Sequence, residues 1–136
     1  MDHGHHADPA TLSGKLLEQS PESIVLALPG TDYQLHLAVK ASPAPDATGT
    51  LQGRVIAQAR RVDIIDAGGI YIEPVMGRPR RLQGRVIATN AADNTITVKA
   101  VAPFVCKLNN LQKADQFPVG VMVSFDVERG ALFEPM

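Results

Sequence analysis

Period two runs through this chain. From Tyr33 to Lys40 the sequence YQLHLAVK sets Tyr33, Leu35, Leu37 and Val39 on one side and Gln34, His36, Ala38 and Lys40 on the other. The stretch VGVMVSFDV at 119–127 repeats the pattern with Val119, Val121, Val123, Phe125 and Val127, and TITVKAV at 95–101 does so again. Successive side chains of a strand point to opposite faces, so this alternation selects half-buried, usually antiparallel strands. Turn-forming sequences separate the runs: LPGTD at 28–32, DAGG at 66–69, MGRP at 76–79, AADN at 91–94 and ERG at 128–130. The Pro-rich ASPAPDATG at 41–49 reads as a polar loop. Only NNLQKADQF at 109–117 suits a helix, of a turn or two. The chain is expected to be all-β.

Its words are also repeated. LQGRVIA stands at Leu51–Ala57 and again at Leu82–Ala88, with a looser copy, LSGKLLE, at Leu12–Glu18. The segment Leu12–Leu28 is similar to Leu82–Val98, each with a Leu-x-Gly-basic start, a strand, a polar turn and a second strand. GGIYIEPVM at 68–76 and RGALFEPM at 129–136 also match. These correspondences divide the chain into a His-containing tail (1–10) and two units (11–78 and 79–136). Each unit is expected to hold a hairpin, a third strand, an irregular connection and a closing pair of strands. That connection pattern resembles an OB-fold, and it implies two tandem five-stranded barrels packed together, with one short helix at most per unit. The resemblance covers nearly the whole chain but is architectural. A single sandwich of about ten strands is the alternative. Units of about 60 residues are marginal alone, so a shared apolar surface is expected between them. Gly53 and Gly84, in the repeated heptapeptide, are expected to bend strands or admit a close backbone approach.

Composition narrows the function. Apolar residues make up 45% of the 136, enough for a packed core, and charged residues make up 20%, too few for a disordered chain. A net charge of −1 argues against binding polyanions by bulk attraction. No apolar run approaches a membrane span, and MDHGHHADP lacks the basic and apolar parts of a signal peptide, so a cytoplasmic protein with no membrane partner is expected. The single Cys106 precludes an internal disulfide and fits a reducing compartment. It alternates with Phe104 and Leu108, which predicts a core position.

The arginines are concentrated. Arg54, Arg60, Arg61, Arg78, Arg80, Arg81 and Arg85 fall within 51–85, beside only Asp63, Asp66 and Glu73, and Arg129 alone lies outside. Guanidinium forks suit phosphate and carboxylate, and a basic patch on a small barrel suits single-stranded nucleic acid. Tyr71 is the aromatic residue of that window and the candidate stacking side chain. The competing expectation is a solvated face, or arginines paired with carboxylates of the other half.

RVDIIDAGGIYIEPV at 61–75 is similar to the strand-turn-strand signature of PilZ domains, small β-barrels that bind a cyclic dinucleotide. The family's Asp/Asn-x-Ser-x-x-Gly pattern maps onto Asp63 and Gly68, but Ile65 stands at the hydroxyl position. The family's paired arginines precede the pattern, whereas Arg81 and Arg85, at the right spacing, follow it. The nucleotide clamp is therefore not carried over. At the N-terminus His3, as a third residue, would enclose Cu(II) or Ni(II) with the terminal amine and two amides, and His5 and His6 would add ligands. His36 falls on the wet face of its strand. No nucleophile motif, phosphate loop, zinc spacing or dinucleotide fingerprint occurs. A non-enzymatic binding module without a cofactor is expected, with single-stranded nucleic acid as the leading partner. A protein-interaction or oligomer-assembly module is the alternative, and copper or nickel capture a third reading.

Overall fold

The computed structural model of the chain describes residues 8–136. The chain opens with a hairpin, β1 (Leu12–Gln19) and β2 (Ser23–Ala27), followed by β3 (Gln34–Ala38). The first LQGRVIA lies in β4 (Thr50–Gln58), and three short pieces follow, β5 (Asp63–Ile65), β6 (Tyr71–Glu73) and β7 (Met76–Gly77). The second copy lies in β8 (Arg81–Asn90), ahead of β9 (Thr95–Ala100), β10 (Ala102–Lys107), β11 (Met122–Asp126) and β12 (Leu132–Pro135). Among the described residues the helical content is one 3-10 turn, Ala114–Gln116, inside the segment where the sequence allows a helix. The fold is all-β.

Five strands close a barrel in the order β1-β2-β3-β12-β4 and back to β1. This ring agrees with an OB-like architecture, including its one parallel pair, where β12 meets β3 at Leu132 and Ala38. On its other edge β12 runs antiparallel to β4, with Phe133 opposite Val55 and Glu134 opposite Arg54. The ring that contains the N-terminal strands is thus completed by the last residues of the chain. Residues 68–76, similar in sequence to 129–136, do something else: β6 pairs with β8, and β7 adds to β3. The reason is the path after β4. Ala59 bridges to Val127 and β5 pairs with β11, which commits residues 59–65 to strands of the second half before β6 begins. The C-terminal end of β4 also pairs in parallel with β10, from Val105–Ile56 to Lys107–Gln58.

The two hairpins that open with Leu-x-Gly share a detail. The β1–β2 register shifts between Leu16 and Glu18, and the β8–β9 register shifts between Val86 and Ala88, the matching places in the two segments. A bulge of this kind strengthens twist and lets a short sheet curve.

Most buried apolar side chains form a single cluster that runs from Leu12 to Phe133 and takes residues from both halves. Alternation holds well in β3, where Leu35 and Leu37 are buried and His36 is exposed. It fails in β9 and β11. Thr95, Ile96, Thr97 and Val98 are all buried, as are Met122, Val123, Ser124 and Phe125. Both strands are paired on both edges, β9 by β8 and β10, β11 by β8 and β5. On β11 the polar Ser124 is held by the Arg81 guanidinium.

Candidate functional site

Three backbone hydrogen bonds draw separate segments together beside the start of β8. Arg80 N donates to Glu73 O at 2.8 Å, Val127 N donates to Arg80 O at 3.0 Å, and Arg60 N donates to Asp126 O at 2.9 Å. The continuation of β4, the end of β6, the entry to β8 and the end of β11 are thereby fixed to one another. Around this junction lies an open cleft of about 420 Å³, lined by Arg60, Glu73, Arg78, Arg80, Arg81, Asp126 and Val127.

Arg81 is the fixed member. One guanidinium nitrogen donates to Asp126 Oδ1 and the other to Ser124 Oγ, both at 2.8 Å. The Asp126 carboxylate, and after it Tyr71, hold Arg81 above its ordinary pKa. Arg78 is pushed the opposite way, first by desolvation and then by repulsion from Arg129 and Arg80. A guanidinium never gives up its proton in practice, so the direction reports partial desolvation, and after it neighbouring positive charge, rather than titration. Among the described residues Arg60, Arg78 and Arg80 form no ion pair.

Arg78 also borders a second cleft, of about 530 Å³, lined by Ser20, Glu22, Ser23, His36, Leu37, Ala38, Arg129, Gly130 and Ala131. The ring's closing strand brings Arg129 there, because Ala38 N donates to Ala131 O as β12 joins β3. Five guanidiniums therefore gather over the two clefts of a chain whose total charge is −1.

Four of the seven arginines singled out in the sequence meet here and three do not. Arg54 pairs with Asp8 at a separate groove that also contains Thr95, Thr97 and Lys107. Arg61 is paired with Asp63 at 3.2 Å on the exposed surface. Arg85 donates to Gly120 O at 2.9 Å. The arginines of the two LQGRVIA copies thus serve different surroundings. Tyr71 is half-buried, and its hydroxyl donates to Gln83 Oε1 at 3.2 Å, so its ring is no open platform in the cleft. All four phenylalanines are core residues. Arg129 is the member that sequence reasoning left outside. The one signal for it was the turn ERG, which says where the chain bends and nothing about what it meets.

His3, His5 and His6 lie outside the described residues. Among the described residues no group of three or more His, Cys, Asp and Glu is placed to hold a metal ion. No helix of the described residues is long and apolar enough to cross a membrane. Cys106 is fully buried and desolvation raises its thiol pKa far above the ordinary value, as its alternation with Phe104 predicts. No protein-family model, curated protein or solved structure matches this chain.

Proposed function

We propose that this chain is a non-enzymatic, cytoplasmic binding module whose arginine cleft takes the phosphate backbone of single-stranded nucleic acid. One observation carries the reading: Arg60, Arg78, Arg80 and Arg81 line one open cleft, with Arg129 next to it. Focused positive charge on a nearly neutral protein attracts a local anion without general stickiness. The anchoring of Arg81 by Asp126 and Ser124 orients one fork in advance, while Arg60, Arg78 and Arg80 remain as donors. The lack of an aromatic platform favours contact with the backbone over stacking on bases.

On the same reading the chain is a pair of OB-like units related by an internal duplication. The shared bulges support this, as does a second circuit of pairings through β8, β9, β10, the β4–β5 segment and β11. Each unit would then borrow its fifth strand from the other half.

Fluorescence anisotropy with a labelled single-stranded oligonucleotide tests the binding. Neutralising about three phosphates predicts a log Kd that rises with log salt at a slope of about 2. Arg78→Ala combined with Arg80→Ala should abolish most of that slope. An unchanged anisotropy at low salt with excess protein would reject the reading. Exposed Ile64, Ile70, Val75 and Met76, together with the free outer edge of β5, favour a second reading as a protein-assembly module. A concentration-dependent mass with indifference to oligonucleotide would select it.

A further inference from the structure

The second cleft has a composition that a simple phosphate receptor does not need. Beside Arg78, Arg129 and His36 it is lined by the acidic Glu22. Glu22 forms no ion pair with either arginine. Its backbone is pinned on both sides: Glu22 N donates to Ser20 Oγ at 3.4 Å, and Val39 N donates to Glu22 O at 3.0 Å. The turn below it is tied further, with Ser23 N donating to Ser20 Oγ at 3.2 Å and Ser42 Oγ donating to Ser20 O at 3.4 Å. A carboxylate repels phosphate, yet Glu22 lines this cleft together with the phosphate donors Arg78 and Arg129. Chemistry that wants both is a hydroxyl-bearing sugar next to a phosphate: the hydroxyls donate to the carboxylate, and the guanidiniums hold the neighbouring anion. Leu37, Ala38 and Ala131 supply the apolar floor against which a sugar ring packs.

Building on the nucleic-acid reading above, we propose that the second cleft seats the ribose of the nucleotide whose phosphate is held by Arg78, with Glu22 accepting from the 2′-hydroxyl, so that the chain selects RNA over DNA. The 2′-hydroxyl is the group that separates the two polymers at any one site. A phosphate clamp without such an acceptor would treat them alike.

The test compares oligouridylate with oligodeoxyuridylate of equal length, so that only the 2′-hydroxyl differs. The wild-type chain should bind the ribo form about tenfold more tightly, the size of one hydrogen bond to a charged group. Glu22→Ala should erase the preference and leave the deoxy form bound as well or better, because a negative charge has left a basic cleft. Glu22 is exposed on a turn, and an unchanged thermal midpoint establishes that the variant is folded. Equal, salt-sensitive affinity of the wild type for both oligomers, lost in the Arg78 and Arg80 double variant, would overturn the ribose site and leave the phosphate cleft standing. A ribo preference that survives Glu22→Ala would overturn it too. Binding of neither oligomer would overturn both readings.

Discussion

Gly84 lies against the main chain at Lys99 so closely that a Cβ built on it would fall 2.1 Å from the Lys99 carbonyl oxygen and 2.7 Å from its carbon. The copy in the other LQGRVIA behaves alike: a Cβ on Gly53 would meet Glu134 O at 2.2 Å and the Phe133 ring at 2.7 Å. Neither glycine touches the arginine cleft. The heptapeptide recurs because two strands of this sheet each need a place where a neighbouring backbone crosses without a side chain between.

Substitution at these places should therefore cost stability in graded order. Gly84→Ala and Gly53→Ala push into backbone that cannot swing aside and are expected to destabilise by about 2–3 kcal/mol. Gly14→Ala, where the nearest atoms stand at 3.2 Å, should cost about 1 kcal/mol. Gly69→Ala, with open space around it, should stay within about 0.5 kcal/mol of wild type. Urea unfolding midpoints at constant slope measure the series. An indifferent Gly84→Ala would refute the close-approach account.

The cleft separates arginines that the sequence groups together. Arg129→Ala, although far outside the basic window, should weaken oligonucleotide binding by roughly tenfold, the value of one lost charged hydrogen bond. Arg61→Ala should change it little, since Arg61 is solvated and paired with Asp63 away from the cleft. Titrations at one fixed low salt concentration decide the order. The reverse ranking would move the binding face elsewhere.

Asp46 predicts a pH limb. Its carboxylate accepts from Thr48 Oγ1 at 2.6 Å, Thr48 N at 2.8 Å and Thr50 N at 3.0 Å, which closes the turn into β4. These hydrogen bonds, the Thr48 hydroxyl first, hold its pKa below the ordinary 3.8. A lowered carboxylate pKa contributes stability that is complete above the unfolded value and is lost as pH falls through the folded one. Acid unfolding of Asp46→Ala should be shallower than that of wild type below about pH 4, with the two curves parallel at neutral pH. A wild-type slope retained in the variant would place the acid sensitivity elsewhere.

Cys106 predicts a silent thiol. It is completely buried in β10, and the same burial disfavours the thiolate that would react. A disulfide reagent should modify the folded chain only at the rate of opening, and at full speed in denaturant. Fast modification under native conditions would contradict the buried position.

Much of the fold was legible from particular residues. Leu35, Leu37 and Val39 announced a buried strand face, and Leu35 and Leu37 line the barrel. The expected helical turn is present as Ala114–Gln116. The pattern misled where a strand is covered on both sides. Thr95 and Thr97 read as a wet face and are buried, because pairing of β9 on both edges is a tertiary fact. The matched endings at 68–76 and 129–136 misled differently. Similar short strands carry no label for their partners, so β6 joined β8 while β12 closed the ring.

Local chemistry supplies the material: strands of period two, turns between them, glycines where backbones must pass, and an excess of arginine in one window. These are local properties, set by side-chain alternation and backbone freedom, and a chain carries them before it folds. The assembly comes from long-range pairing. The parallel contact of Leu132 with Ala38 joins residues separated by most of the chain, and no local preference encodes it. That one closure brings Arg129 beside Arg78, while Asp8 claims Arg54 and the Gly120 carbonyl claims Arg85. Which charges share a face depends on which strands pair, and pairing is settled by burial of the common core rather than by the charges themselves.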